Sequence, residues 1–156
     1  MKKNLFLVCL FMFGTLASCQ CSSKKSADNT VVNTTETPVP LGDPFILLHD
    51  GVYYAYGTHS NKGIEFYTSD DLLTWKYGGL ALNEEDSWAD RWFWAPEIYF
   101  VNGKFYMYYS ADEHICVAVA DSPTGPFVQD KKEPMIADEK CIDNSLFIDD
   151  NGTPYL

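Results

Sequence analysis

The chain has 156 residues, with 11 Lys and Arg against 22 Asp and Glu, giving a formal charge of −11. A phosphate-binding surface needs clustered basic residues to release counterions, and with one arginine, Arg91, this composition excludes nucleic acid as a partner. Hydrophobic residues make up 46% and aromatics 15%, too apolar for disorder, and the lack of long Ala/Leu/Lys/Glu stretches argues against a helix bundle.

The chain opens with Lys2 and Lys3, an apolar run from Leu5 to Phe13, and the small-residue stretch Leu16-Ala17-Ser18 before Cys19. The run is too short to span a bilayer, so residues 1–18 read as a cleaved signal peptide. Leu-Ala-Ser-Cys resembles the bacterial lipobox, which implies an acylated Cys19 and an exported lipoprotein. Such a protein touches the membrane through its anchor only, on the periplasmic face or the cell surface of the outer membrane. An ordinary signal peptide that happens to hold a cysteine is the alternative. Residues 19–37 are polar and rich in Ser, Thr and Asn, the composition of a flexible tether. Residues 38–156 hold every Trp and Tyr and form the folded part.

Within that part the sequence repeats itself. Asp43-Pro44-Phe45 through Tyr56 aligns without a gap on Ala95-Pro96-Glu97 through Tyr108, and again, with one extra turn residue, on Asp143-Asn144-Ser145 through Leu156. Each copy is an apolar run, an Asp-Gly or Asn-Gly turn and a ring-rich alternating run, which predicts a β-hairpin. Between the first two hairpins, Ile64 to Asp70 reads as a further strand, and Ile115 to Asp121 takes the same place after the second. A unit of about four strands with a period near fifty residues predicts propeller blades rather than a β-sandwich, which has no reason to repeat motif for motif. The folded part then holds two blades and the opening of a third, as the N-terminal part of a longer protein would.

The innermost strand of a blade lines the central channel, so the repeat places Asp43, Ala95 and Asp143 around one channel mouth. Two of the three are carboxylates, the arrangement that paired-carboxylate chemistry requires. Singly, each Asp reads as a turn or capping residue; together at one repeat position they read as a site. Asp50, Asp149 and Asp150 in the hairpin turns, and Asp70 and Asp71, read as solvated turn residues. The connection from Asp86 to Glu97 carries Trp88, Trp92, Trp94 and Arg91. Exposed indoles beside carboxylates suit a sugar cleft, because sugar rings present flat CH faces. Trp94 leans towards the site, whereas packing and stacking are equal readings for Trp92 and Phe93. Glu97 points to the same side as Ala95 and either meets ligand or bonds the inter-blade backbone. His59 reads as a polar rim residue. Cys116 and Cys141 are open between a disulfide and buried thiols, and no Cys or His cluster predicts a metal site.

Leu41-Gly42-Asp43-Pro44-Phe45, Trp94-Ala95-Pro96-Glu97 and Cys141-Ile142-Asp143-Asn144-Ser145-Leu146-Phe147 resemble the first three blade signatures of glycoside hydrolase family 43, in order and at its spacing. The resemblance implies an all-β, five-bladed propeller and inverting hydrolysis of terminal β-xylosides, α-L-arabinofuranosides or arabinans, with an oligo- or polysaccharide as substrate. It implies Asp43 as general base and Asp143 as the carboxylate that sets the acid's pKa and orientation. Trp94, Glu97, His59 and Trp92 are the expected substrate contacts. No cofactor is required, although calcium in the central channel is compatible with the resemblance. The family's general acid is a Glu from a later blade, which this chain does not reach, so the chain alone is expected to be inactive. Asn144 stands where Pro is common. A glycan-binding propeller that has lost the acid is the alternative function.

Overall fold

The computed structural model describes residues 38–156. The predicted signal peptide, Cys19 and the tether lie outside the described residues. Among the described residues no helix is long and apolar enough to cross a membrane.

Two antiparallel sheets dominate. The first runs β1 (Gly42–His49), β2 (Val52–Thr58), β3 (Gly63–Ser69) and β4 (Lys76–Asn83), paired in that order. The second runs β5 (Trp94–Val101), β6 (Lys104–Ala111) and β7 (His114–Ala120), and a short pair, β8 (Phe147–Ile148) and β9 (Pro154–Tyr155), follows. The hairpins form where the sequence places them. Asp50 and Gly51 (φ 48° and 80°) and Asn102 and Gly103 (φ 51° and 79°) take the paired left-handed conformations of a type I′ turn. That turn matches the twist of the flanking strands, and Asn, Asp and Gly tolerate it best. In the third copy the extra residue changes the turn. Gly152 donates to the Asp149 carbonyl at 2.9 Å, and the Asp149 carboxylate accepts the N–H groups of Asn151 and Thr153.

Alternation builds the core. Along β6, Phe105, Met107 and Tyr109 are buried, and along β7, Cys116, Ala118 and Ala120. They meet Tyr56, Ile64, Phe66 and Leu82 of the first sheet, together with Phe93, Ile98 and Phe127, in one cluster. Burying each large apolar side chain there contributes about 1.5–3 kcal/mol. The two sheets therefore stack face to face as consecutive propeller blades.

Two departures from the repeat are physical. The second blade has three strands rather than four. After β7, Pro123, Gly125 and Pro126 withhold N–H groups and regular φ, so only isolated bridges from Phe127 to Leu82 and from Val128 to Val119 mark the missing edge. This segment becomes a strap across the outer ends of both blades. Phe127, fully buried, donates its N–H to the Ala81 carbonyl at 2.8 Å, the Gln129 N–H reaches the Asp86 carbonyl at 2.9 Å, and the Tyr56 hydroxyl donates to the Pro123 carbonyl. The third hairpin is also shorter than its sequence alignment, with two residues in each strand. Pro154 has no N–H to give the ladder, and Phe147, Ile148 and Tyr155 are exposed.

Cys116 and Cys141 are free thiols. Burial pushes the Cys116 thiol up to about 11.

Candidate active site

The repeat-equivalent positions share a backbone conformation. Asp43, Ala95 and Asp143 have φ of 45°, 43° and 60°, the left-handed region that L-residues normally avoid at about 1–2 kcal/mol each. Asp tolerates this region better than Ala does. At the first two positions the strand is also bulged, with the register slipping between Gly42 and Phe45 and between Trp94 and Glu97. Each bulge contains an X-Pro step, where proline costs no ladder bond, and each turns the innermost strand outward at its start.

Hydroxyls from the preceding blade hold this conformation. The Ala95 N–H donates to Thr58 Oγ1 and the Asp143 N–H donates to Ser110 Oγ, both at 3.1 Å. Thr58 ends β2 and Ser110 lies at the equivalent place on β6, so each bond crosses from one blade to the next. Thr58 Oγ1 also donates to Asp43 Oδ2 at 3.0 Å. Sequence reasoning singled out neither hydroxyl. Extending the gapless alignment by two residues, from Tyr56 on Tyr108 to Thr58 on Ser110, was the available signal.

The three left-handed positions converge on one open pocket of about 420 Å3, walled by residues 43–45, 95–97 and 143–145. Asp43 and Asp143 thus line the same space, as the repeat predicts. Glu97 lines it too, but its Oε2 accepts from the Tyr99 hydroxyl and, at 3.2 Å, from the Leu146 N–H. It therefore bonds the backbone of the third hairpin, one of the two readings open to it. Burial, reinforced by the bond to Glu97, pushes the Tyr99 phenol up to about 12. Asn144, in the place of Pro44 and Pro96, is buried, and its amide has no hydrogen-bond partner among the described residues.

The predicted ligand contacts separate. Trp92 and Trp94 stack nearly parallel, their planes 10° apart and centroids 5.8 Å apart, and Trp92 is 42% exposed. The Arg91 guanidinium lies 4.6 Å from the Trp92 ring and is tied to Asp112 at 2.9 Å. This pair sits immediately before Ala95 but outside the pocket's own lining. Phe93 between them is buried against Tyr109, so packing takes it. His59 is bonded to Glu65 at 2.6 Å, on the side of β3, and does not line the pocket. Among the described residues no group of three or more His, Cys, Asp or Glu comes together as a metal site.

Residues 35–156 match the family described as Glycosyl hydrolases family 43. The chain is 39% identical to Xylosidase/arabinosidase 43A of Humicola insolens over 144 residues, covering 77% of this chain and 43% of that protein. It superimposes on a crystal structure of an endo-1,4-beta-xylanase from Bacteroides thetaiotaomicron with a TM-score of 0.69 and 50% identity, covering 74% of this chain and 41% of the other. An alpha-L-arabinofuranosidase structure from Clostridium thermocellum gives a TM-score of 0.61 at 30% identity, covering 72% and 45%. The chain thus spans less than half the length of these relatives. The solved structures it matches are five-bladed β-propellers, and the described residues make up part of one.

Proposed function

The chain belongs to glycosyl hydrolases family 43, and from that premise we propose that it carries the base half of an inverting glycosidase acting on terminal pentose-type sugars. The observation that carries this reading is the pairing of Asp43 and Asp143 at equivalent left-handed positions of one pocket. Relatives described as xylosidase, arabinosidase and exo-arabinofuranosidase support the pentose class.

In this mechanism Asp43 takes a proton from a water that attacks the anomeric carbon as the glycosidic bond breaks on the opposite face. The leaving oxygen receives its proton from a glutamic acid supplied by sequence outside residues 38–156. The negative charge of Asp143 favours the protonated form of that acid and orients it. The Trp92 and Trp94 stack stands beside the pocket as an apolar surface for a sugar ring, with Arg91 and Asp112 fixing its outer edge. Loss of that glutamic acid would forfeit roughly 10²- to 10⁴-fold in rate. The same reading assigns the lipid anchor to Cys19; Cys19→Ser would abolish incorporation of labelled fatty acid, and its persistence would remove the anchor.

Turnover of aryl β-xylosides and α-L-arabinofuranosides by the complete protein, with product anomer followed by NMR, tests the activity. Inverted product and a loss of at least about 10³-fold in Asp43→Asn are expected. Near wild-type turnover in Asp43→Asn would overturn the base assignment. Sugar binding without turnover by the wild type would establish a glycan-binding propeller instead.

A further inference from the structure

We propose that Thr58 is a positioning residue for Asp43, fixing which carboxylate oxygen the reaction uses; this rests on Asp43 being the base. The Thr58 hydroxyl has one proton to give, and the Ala95 N–H, 3.1 Å from its oxygen, already occupies an acceptor direction. The proton is left to point at Asp43 Oδ2, 3.0 Å away. An ionised carboxylate only accepts, so this hydroxyl pairs with the form of Asp43 that can remove a proton from water. Among the described residues no other hydrogen bond reaches the Asp43 side chain. Oδ2 is therefore held from behind and Oδ1 is left for the attacking water.

The repeat supplies an internal comparison that separates this role from blade assembly. Ser110 performs the seam half of the task, accepting the Asp143 N–H at 3.1 Å. The residue of its own blade at the place of Asp43 is Ala95, which offers no carboxylate to hold. Closing the seam thus requires only a lone pair, and the proton of Thr58 has a second use. Threonine also suits this better than serine, because its branched Cβ restricts χ1 and keeps the hydroxyl in one direction. Asp43 needs such help. It is exposed, and it sits on a bulge that leaves its side chain unsupported by the strand ladder.

The test uses the complete protein and an aryl pentoside that it turns over. Thr58→Val replaces the hydroxyl by a methyl of similar size. It should lower kcat by on the order of 10- to 100-fold with KM within about twofold, because a loosened base is misplaced in the transition state while ground-state binding is kept. Thr58→Ser should restore most of kcat. The decisive readout is the double variant: in an Asp43→Asn background, Thr58→Val should cost less than about twofold, since the group it positions is already gone. A folded Thr58→Val enzyme with wild-type kcat, or an equal loss in both backgrounds, would overturn the proposal. Should Thr58→Val fail to fold, Thr58→Ala, which leaves room for a water at the Ala95 N–H, carries the same comparison. Wild-type turnover in Asp43→Asn alone would instead overturn the base assignment on which this rests.

Discussion

Thr58 and Ser110 occupy the same place in successive blades, and each accepts the backbone N–H of the left-handed residue that opens the next blade. The pocket is consequently built across seams rather than within one sheet. Ser110 is fully buried, so removing its oxygen strands the Asp143 N–H at the third left-handed position. Ser110→Ala should destabilise the folded protein by about 1–3 kcal/mol, read from the midpoint of a denaturant titration. An unchanged midpoint would mean that the seam does not depend on this bond.

The two kinds of aspartate should respond differently to the same change. Asp143 lines the pocket, whereas the Asp50 side chain is 91% exposed in the first hairpin turn. In the complete protein Asp143→Asn should lower kcat by about 10²-fold or more, and Asp50→Asn should stay within about twofold of wild type. Steady-state kinetics on one substrate decides this, and equal effects at both positions would refute the channel-mouth assignment.

Much of this was legible because the fold repeats. The Asp-Gly and Asn-Gly turns announce the hairpins, and aligning Asp43 with Ala95 and Asp143 brings the pocket together from sequence alone. Other features had no local signature. The Thr58 hydroxyl earns its role from an amide 37 residues away and a carboxylate 15 residues away. Thr and Ser look unlike in a copy-to-copy comparison although one oxygen serves in both. The fates of Trp92 and Phe93 were equally balanced because adjacent residues of an irregular connection can face opposite ways. Phe93 went to the core beside Tyr109, and Trp92, at φ 59°, turned outward. The missing fourth strand of the second blade was written in Pro123 and Pro126, but a propeller period alone overrode that signal.

The two domain thiols should differ in reactivity. Cys116 is buried and its thiol is pushed up to about 11, whereas Cys141 is partly exposed. A disulfide reagent at pH 8 should label one domain thiol quickly and the second only on unfolding. The folded state favours the protonated Cys116, so its contribution to stability is present below the ordinary thiol value near 9 and is lost as pH rises towards 11. Thermal melts at pH 8 and pH 10 should show that decline, and Cys116→Ala should reduce it.

Gly63 opens β3 with φ of 140°, and a Cβ there would lie 1.9 Å from the Leu82 carbonyl oxygen. Backbone cannot yield as a flexible side chain can. Gly63→Ala should cost on the order of 3 kcal/mol or more, visible as loss of the cooperative unfolding transition at physiological temperature. A thermal midpoint equal to wild type would show that β3 and β4 separate there without penalty.

A protein made of look-alike repeats faces an assembly hazard: any blade could dock on the wrong neighbour, and similar hairpins can exchange partners while folding. The strap after β7 adds contacts that lie outside the repeated strands. Its Phe127 N–H fits the Ala81 carbonyl, its Pro123 carbonyl takes the Tyr56 hydroxyl, and its Gln129 N–H finds Asp86, all on the first blade or the connection just after it. The first blade and the connection after it present those three groups together. The irregular segment that interrupts the repeat thus ties the second blade to the first, and it also covers a sheet edge that would otherwise invite pairing between molecules.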